Sequence, residues 1–450
     1  MSAEQEVAPP VRRNSSPAGV SNPREAATMR NSDFPVIYFG NDWSAENRTS
    51  SHHVAERLAA RMPLLYVDSP GLRAPTTSRR DMRKLFRKLI EAFRVPQRIG
   101  PRMWHISTPQ IPFRRLPLVN HLNRMLGGFL VKRAVGRLGF QKLISWFVVP
   151  HPGALAGSFG EQLIVYYCID DYAALPGVDS AEVSRMDDDL TRRAHQVFVA
   201  SPTLLESKMR LNPRTHHAPH GVDVEVFAKA SDPEYPMAAE ARSLPRPVIG
   251  FFGLIEAWID LDLIAYLAKS RPQWTFLLIG RLAVDGAALK NLPNVIFTGP
   301  KPYRSLAQWA RAFDVAIIPY RRTRQVINSN PLKLREYLAT GKPVVGVPIP
   351  ETLRFGDCVR LADSPKKFLA AIEDALASDS PGDVQRRMAA VASMSWDARV
   401  EEVLAVIKDR LETETKDEES ITYQKTESRD HRRGLREHVP YPSSAKPRFR

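Results

Sequence analysis

The sequence predicts an α/β protein built from two doubly wound parallel sheets with a cleft between them. Short apolar runs rich in β-branched and aromatic residues alternate with helical patterns along most of the chain, which is typical of parallel strands joined by crossover helices. The alternation stops at residues 222–245 and then begins again, which indicates a second sheet. Ligands of such sheets bind beyond the carboxyl ends of the strands, so we expect the site in the cleft.

The apolar runs also predict how the chain is divided. The first sheet is expected to contain FPVIYF (34–39), PLLYVD (63–68), LISWFVV (143–149), LIVYYCI (163–169) and QVFVAS (196–201). The second is expected to contain PVIGFFG, WTFLLIG, NVIFTG, DVAIIPY and PVVGVP. A helix predicted at 395–412 has an apolar stripe that we expect to pack back on the first domain. The predicted regions are tails at 1–32 and 413–450, both expected to be disordered, domains at 33–221 and 246–394, and a linker at 222–245.

Length and composition exclude several classes of protein. The chain has 450 residues, 43% hydrophobic and 25% charged, which is enough apolar material for two cores. Its two cysteines, Cys168 and Cys358, lack zinc-type spacing, so we expect neither a disulfide framework nor a metal site. No signal-peptide pattern and no uninterrupted run of about 18 apolar residues occurs. We therefore expect a cytoplasmic protein that does not span a membrane.

The positive charge is concentrated in one segment. A net charge of +15 favours acidic partners. Lys and Arg residues from Arg79 to Arg102 surround apolar residues at helical spacing, which predicts a basic amphipathic helix. Two interpretations remain open: the helix docks on an anionic membrane leaflet, or its stripe packs on its own domain. No nucleic-acid recognition motif accompanies the charge, so we expect no nucleic-acid partner.

The segment from Asn328 to Pro348 is the most informative part of the chain. Asn330 suits a helix N-cap and Pro331 the first helical position. The free N–H groups of that helix start and the cation of Lys333 favour a bound anion such as a diphosphate. Glu336 lies on the same helix face, where its carboxylate can accept hydrogen bonds from both hydroxyls of a ribose. A capped surface helix with a Lys–Glu pair is the alternative interpretation.

The wider context of this segment resembles a known family. PLKLREYLATGKPVV, preceded by NVIFTGPKPYRSLAQWARAFDVAIIPY and, far upstream, by PHGVDVEVF, is similar to the GT-B glycosyltransferases of family 4. The similarity extends in order and spacing from about Phe34 to Leu411, strongly in the second domain and weakly in the first. It implies two Rossmann-like domains, a hexosyl nucleotide-sugar donor, transfer that retains anomeric configuration, and no metal or other cofactor.

Individual donor-site residues follow from this resemblance. Glu336 matches the second glutamate of the family's Glu-x7-Glu motif, a ribose-binding position, whereas Asn328 replaces the first and cannot act as a base. The loop after Gly253 lacks the arginine and lysine that many members place against the diphosphate, so charge neutralisation falls to Lys333 and then Arg281. Lys301 and the loop cations Arg321, Arg322 and Arg324 are further candidates. The candidate donor contacts are Gly40, Gly253, Arg281, Gly299, Lys301, Asn328, Ser329, Asn330, Lys333 and Glu336.

Two carboxylates are candidates for catalysis in the first domain. Asp170 and Asp171 end the predicted strand LIVYYCI, close to where the family often has a histidine facing the reacting sugar. That histidine is absent here. Either carboxylate can accept the proton of an acceptor hydroxyl, and an Asp-rich capping turn is the alternative. The catalytic candidates are therefore Asp170, Asp171 and Lys333.

Other polar residues are weaker candidates. His52 and His53 either line the cleft or simply open a helix. His220 begins the HGVD stretch, which resembles a family signature near the hinge and the cleft. Asp187, Asp188 and Asp189 match the Asp-x-Asp pattern of metal-dependent transferases, but we expect them on a solvated helix face.

The functional hypothesis is a glycosyltransferase acting on a saccharide or lipid-linked acceptor in cell-envelope polysaccharide or glycolipid synthesis. The docking interpretation of the basic helix adds a location at the inner face of the membrane. Two alternatives remain open: a non-catalytic GT-B protein that binds a nucleotide or glycan, and a GT-B sugar-nucleotide epimerase.

Overall fold

The computed structural model describes residues 34–45, 48–69, 95–108 and 117–413. The predicted tail at 1–32, all but the first residue of the predicted tail at 413–450, and residues 79–94 of the basic segment lie outside this part of the chain. Within it, no helix is long and apolar enough to cross a membrane.

The first sheet has eight strands in the order β3-β4-β2-β1-β5-β6-β7-β8. Every neighbouring pair is parallel except β3 with β4. The five predicted strands correspond to β1, β2, β5, β6 and β7. The strands are β1 (Val36–Gly40), β2 (Leu64–Asp68), β3 (Gln97–Gly100), β4 (Met103–Ser107), β5 (Ile144–Phe147), β6 (Leu163–Cys168), β7 (Gln196–Val199) and β8 (Thr215–His217).

One part of the basic segment departs from the predicted helix. Arg98 lies on β3, which pairs antiparallel with β4, and Arg102 lies in the turn between these two strands. The helical prediction is therefore wrong for this end of the segment. Arg102 Nη1 instead donates a hydrogen bond to the carbonyl of Arg61 at 2.9 Å.

The second sheet is parallel throughout, with the order β11-β10-β9-β12-β13-β14. The five predicted strands are β9 to β13, and β14 adds a short edge strand. The strands are β9 (Val248–Phe252), β10 (Thr275–Ile279), β11 (Val295–Gly299), β12 (Val315–Ile318), β13 (Val344–Gly346) and β14 (Arg360–Leu361).

Helices cover both sheets, as the doubly wound prediction requires. They are α1 (Ser50–Arg61), α2 (Pro117–Leu138), α3 (Ser180–Arg193), α4 (Pro202–Met209), α5 (Val224–Ala228), α6 (Leu261–Ser270), α7 (Ala287–Lys290), α8 (Leu306–Ala310), α9 (Arg324–Ile327), α10 (Leu332–Ala339), α11 (Pro350–Leu353), α12 (Pro365–Ser378), α13 (Pro381–Ala389) and α14 (396–413).

The first sheet is buried on both faces. Val36 and Tyr38 of β1 belong to one apolar cluster, and Ile37 and Phe39 to another. Successive side chains of a strand point to opposite faces, so a continuous apolar run fills both clusters. One cluster also contains Trp396 and three further apolar residues of α14, namely Val400, Val403 and Ile407. The last helix therefore packs on the first sheet.

The chain crosses between the two halves at two adjacent places. Val222 forms a parallel β-bridge with Ser395, the residue before α14. Gly221 is required at this crossing, because a Cβ atom there would lie 2.7 Å from the Cα of Trp396. The two sheets are thus joined by paired segments beside the cleft.

Candidate active site

A cavity of about 670 Å³ lies beyond the carboxyl ends of both sheets, and we call it the cleft cavity. Its volume falls within the usual range for small-molecule sites, about 300–1,000 Å³. The first half contributes polar side chains from Asn41, Asp42, Ser69, His151 and Asp170. The second half contributes Lys301, Tyr303, Tyr320, Gln325, Ser329, Lys333 and Glu336, and His220 lines the cavity from the crossing segment.

Helix α10 begins one residue later than predicted. Pro331 is the N-cap and Leu332 the first helical residue, so Asn330 lies outside the helix. The Asn330 side chain is buried, and its Oδ1 accepts hydrogen bonds from Arg335 Nη1 at 2.8 Å and from the backbone N–H of His220 at 3.3 Å. These two partners fix the side chain inside the protein. Asn330 therefore positions the helix and is not placed as a donor contact.

Glu336 and Lys333 both line the cleft cavity, as their spacing on one helix face predicts. Glu336 is only 5% exposed. Its Oε2 has no hydrogen-bond partner among the described residues. Burial raises the pKa of this carboxyl group, and the nearby ammonium of Lys333 opposes the rise. A buried acceptor atom without a partner is costly unless a ligand supplies the donor, so this carboxylate is well suited to bind hydroxyl groups.

Gly253 allows Lys333 to reach this position. The glycine follows β9 with φ +141°, a conformation that other residues rarely adopt. A Cβ atom built there would lie 2.5 Å from Cε of Lys333. Gly253 thus lets the lysine side chain cross the end of the strand. Gly253, Lys333 and Glu336, all predicted donor contacts, therefore line the cavity together.

Asp170 lies in the cleft cavity at the carboxyl end of β6. Its Oδ1 accepts a hydrogen bond from the backbone N–H of Asp171 at 2.9 Å. Burial raises the pKa of Asp170 to about 7; the neighbouring charge of Asp171 adds to the rise, and hydrogen bonds from the Asp171 backbone and the Gln325 side chain oppose it. The carboxyl group can therefore exchange a proton near neutral pH.

Asp171 faces away from the cavity, although it is the next residue. Its carboxylate accepts two hydrogen bonds from Arg324, from Nε at 2.8 Å and Nη2 at 3.2 Å, and a third from Asn328 Nδ2 at 2.8 Å. We call this group the Asp171 bridge. It links the end of β6 to α9 in the second half of the molecule, so the prediction of a catalytic Asp171 gives way to a positioning role.

The same bridge accounts for Asn328. This residue does not line the cleft cavity; its amide donates to Asp171, and its carbonyl accepts a hydrogen bond from Ser201 Oγ at 2.7 Å. The predicted donor contact at Asn328 is therefore not supported by its placement. A glutamate at this position would bring a second carboxylate against Asp171, which gives a local reason for the amide.

Gly40 has a packing role rather than the predicted ligand contact. A Cβ atom there would lie 2.3 Å from the hydroxyl of Tyr66 and 2.7 Å from Ser51 Oγ. The space beside the glycine is therefore already filled by protein. The neighbouring residues Asn41 and Asp42 line the cavity instead.

The remaining predicted donor residues are divided between the cavity and the surface. Arg281 is exposed and lies outside the cavity lining, as does Gly299, which ends β11 with φ +69°. Lys301 lines the cavity but also approaches Glu240 at 3.3 Å and lies over the ring of Trp309. Ser329 lines the cavity while its Oγ donates to the carbonyl of Val326 at 2.8 Å. Lys333 is thus the predicted cation best placed for an anionic ligand.

The paired histidines at the start of α1 lie outside the cavity lining, which favours the helix-start interpretation. His52 Nδ1 accepts from the backbone N–H of Thr49 at 3.1 Å, and its Nε2 lies 3.0 Å from the carbonyl of Asp42. His53 stacks on Trp396 of α14 with ring centroids 4.9 Å apart. Burial, with a smaller effect from the positive charge of Arg57, lowers the pKa of His53 to about 3.

His220, in contrast, faces the cleft cavity. Its Nδ1 donates to the carbonyl of Asn330 at 2.8 Å, and its buried Nε2 has no hydrogen-bond partner among the described residues. Burial and then the charge of Arg335 lower its pKa to about 3. The ring is therefore neutral, with an Nε2 lone pair available to accept a hydrogen bond from a ligand.

His151 is a cavity residue that the sequence analysis missed. It follows β5 and lines both the cleft cavity and a second cavity of about 930 Å³, which we call the side cavity. The side cavity lies against α2 and α3, and Asn120, Arg124, Asp179, Arg185 and Asp189 are among its polar residues. The sequence feature that could have indicated it is its position two residues after the predicted strand LISWFVV (143–149).

Asp187, Asp188 and Asp189 were expected on a solvated helix face, and this prediction is wrong for Asp187. The Asp187 carboxylate is 13% exposed; it forms an ion pair with Lys208 and accepts a hydrogen bond from the hydroxyl of Tyr166. The side chains of Asp188 and Asp189 are 41% and 58% exposed. Asp187 therefore holds α3 against the sheet. Among the described residues, no cluster of three or more potential ligands could hold a metal ion.

Comparisons with known proteins agree with this architecture. Residues 246–378 match the family model described as "Glycosyl transferases group 1". Over 252 residues the chain is 29% identical to the "Putative teichuronic acid biosynthesis glycosyltransferase TuaH" of Bacillus subtilis (strain 168), an alignment that covers 51% of this chain and 63% of that protein. The chain thus matches somewhat less than two thirds of that relative's length.

Solved structures show the same fold at low sequence identity. Sucrose-phosphate synthase from Thermosynechococcus elongatus aligns with a TM-score of 0.62 and 15% identity, covering 84% of this chain and 98% of that one. A trehalose-6-phosphate protein of E. coli bound with UDP-2-fluoro glucose aligns with a TM-score of 0.59 and 12% identity, covering 84% and 99%. The predicted fold is confirmed: the chain has the GT-B fold of two Rossmann-like halves, and it resembles the group 1 glycosyltransferases, whose family model its second half matches.

Proposed function

We propose that this protein is a hexosyl-type glycosyltransferase, which moves a sugar from a nucleotide diphosphate to an acceptor hydroxyl in cell-envelope polysaccharide or glycolipid synthesis. The observation that carries the proposal is the buried Oε2 of Glu336, which lies beside Lys333 at the cleft cavity and receives no hydrogen bond from any residue the structure describes. The family match of the second half and the name of the Bacillus relative support the same activity.

In the proposed donor complex, Glu336 accepts hydrogen bonds from the ribose hydroxyls. Lys333 and the N–H groups at the start of α10 stabilise the diphosphate, including the negative charge that develops as it departs. This arrangement supplies positive charge from the protein itself, so we propose a metal-independent reaction. Retention of anomeric configuration is also part of the proposal, on the family resemblance.

Asp170 is the proposed proton acceptor for the attacking hydroxyl. With a pKa of about 7, a substantial fraction of the Asp170 carboxyl group is ionised at neutral pH. The carboxylate is also basic enough to take a proton as the new bond forms. The Asp171 bridge holds the end of β6 against α9 and so fixes the neighbouring carboxylate. In this proposal His220 Nε2 accepts a hydrogen bond from a sugar hydroxyl, and the acceptor enters from the side cavity, whose lining shares His151 with that of the cleft cavity.

Donor binding is tested by thermal shift with UDP, GDP, dTDP and ADP, because a ligand that binds only the folded state must raise its apparent stability. UDP is the first candidate, since the E. coli structure is bound with a UDP-sugar analogue. A shift with one nucleotide, lost in Glu336→Ala, is expected. No shift with any of the four would contradict the proposal.

Product analysis with the matching sugar donor tests the transfer itself. Sugar attached to a saccharide or lipid-linked acceptor is the expected result. Conversion of the donor to an isomeric sugar nucleotide without acceptor would identify an epimerase, and binding without turnover across acceptors would identify a non-catalytic binding protein. Cytoplasmic location at the inner face of the membrane is a further part of the proposal.

A further inference from the structure

Helix α2 has an apolar stripe that faces solvent. Leu118, Leu122, Met125 and Phe129 are 70%, 45%, 61% and 56% exposed. They recur at intervals of four, three and four residues, which places them on one face of the helix. The other large apolar residues exposed in the described part of the chain, Val95, Met209 and Leu353, come from separate elements. Four such side chains together on one helix indicate an interaction surface.

The opposite face of α2 already has its partners. Leu130, Val131 and Ala134 are buried, and Val131 and Ala134 belong to an apolar cluster of the first sheet. The exposed stripe is therefore not needed to hold the helix in place. A helix with apolar residues on two opposite faces has one face for its own core and one for another partner.

The charges of α2 specify the partner. From Pro117 to Leu138 the chain contains Arg124, Lys132, Arg133 and Arg137 and no acidic residue. At about 100° per residue, Lys132 and Arg133 lie on either side of the stripe, each within about 60° of its centre. Apolar side chains flanked by cations complement the interface of an anionic membrane leaflet, where the cations meet lipid phosphates.

The same helix also forms a wall of the side cavity. Asn120, Asn123 and Gly127 line that cavity from α2, and His151 and Ser69 are shared between it and the cleft cavity. The helix with the exposed stripe therefore borders a cavity that shares two lining residues with the cleft cavity, where Asp170 lies. An acceptor whose lipid remains in the leaflet would need only to pass around α2 to place its saccharide in the side cavity.

We propose that α2 docks on an anionic lipid leaflet through Leu118, Leu122, Met125 and Phe129, with Lys132 and Arg133 at the headgroups, and thereby presents a lipid-linked acceptor to the side cavity. Delivery of the acceptor rests on the proposed glycosyltransferase function, whereas docking does not. The membrane contact was predicted for the basic segment 79–102, of which residues 79–94 lie outside the described part of the chain; α2 offers an exposed face that the structure does describe.

Vesicle flotation of the full chain tests docking without any assay of activity. We expect the protein to float with phosphatidylcholine vesicles that contain phosphatidylglycerol and to stay behind with phosphatidylcholine alone. Leu122→Gln/Met125→Gln/Phe129→Gln should lower the partition coefficient about tenfold or more, because inserted apolar area supplies much of interfacial binding. Lys132→Glu/Arg133→Glu should abolish the preference for anionic vesicles.

Met209→Gln/Leu353→Gln is the matched control, since it removes exposed apolar side chains elsewhere on the surface and should float like the unaltered protein. An unchanged thermal midpoint and an unchanged nucleotide shift in the α2 variants show that the fold and the donor site are intact. Equal flotation of the triple variant and the unaltered protein would overturn the proposal. It would also be overturned if vesicle binding were lost on charge reversal within residues 79–94 but kept in the α2 variants. A nucleotide shift without flotation would overturn docking alone, and flotation without transfer would overturn only the proposed function.

Discussion

The end of β6 and the start of α10 contribute to the cleft cavity in different ways. At the end of β6, Asp170 faces the cavity with a pKa raised to about 7, which suits proton transfer. On α10, Glu336 has an oxygen to which no residue in the described ranges donates a hydrogen bond, and a cation lies nearby, which suits ligand binding. Each region also has a polar residue whose side chain hydrogen-bonds within the protein and not at the cavity: Asp171 near Asp170, and Asn330 before α10. These different surroundings are why we propose a binding role for Glu336, beside Lys333, and a proton-transfer role for Asp170, beside Asp171.

The largest effect is expected when the proton acceptor is removed. Asp170→Asn should lower turnover about 10²- to 10⁴-fold, the usual contribution of general base catalysis, with nucleotide binding retained. Steady-state kinetics and calorimetric titration of the nucleotide check the two parts. Asp285→Asn is the control, because that side chain is 80% exposed. Full turnover in Asp170→Asn would show that another group accepts the proton.

Loss of the binding carboxylate should affect affinity first. Glu336→Ala is expected to weaken nucleotide binding by about 1–3 kcal/mol, or about 5- to 150-fold, because a buried hydrogen-bond acceptor for the ribose hydroxyls disappears. Calorimetric titration measures this change. The control Glu206→Ala removes a carboxylate that is 75% exposed and should leave affinity unchanged. If Glu336→Ala binds as tightly as the unaltered protein, the ribose assignment is wrong.

The Asp171 bridge can be tested by exchanging its groups. Asn328→Glu should lower the free energy of unfolding by about 1–3 kcal/mol, because two carboxylates then meet at a buried position. The double variant Asp171→Asn/Asn328→Glu should recover most of this loss, since Arg324 keeps one carboxylate to pair with. Urea unfolding of the single and double variants gives the coupling energy. Additive losses would mean that these side chains do not interact.

A smaller effect is expected in the dependence of stability on pH. The folded-state pKa of Asp170, about 7, lies above its ordinary value, so between these values the folded protein holds more protons than the unfolded chain. Asp170 therefore lowers stability as pH rises through this window. We therefore compare the melting temperature of Asp170→Asn with that of the unaltered protein at both pH values. The difference, variant minus unaltered protein, should be about 2–4 °C larger at pH 8 than at pH 5. A constant difference would contradict the raised pKa.

Local patterns predicted most of the fold and part of the site. Continuous apolar runs identified ten strands of the two sheets. The strands they missed lack such a pattern: β3 and β4 are only partly buried, and β8 and β14 are three and two residues long. Glu336 and Lys333 were found because one helix face places both of them. The orientation of Asn328 was not predictable, since its partner Asp171 lies in the other half of the molecule. Gly40 was misassigned for the same reason: Tyr66, from another strand, fills the space beside it.

The position of the bound nucleotide decides whether Glu336 binds the ribose and Lys333 the diphosphate. A crystal structure with the nucleoside diphosphate that gives the thermal shift should show both ribose hydroxyls within hydrogen-bond distance of the Glu336 carboxylate and the diphosphate beside Lys333 at the start of α10. A nucleotide bound outside the cleft cavity, or with its ribose away from Glu336, would contradict the account.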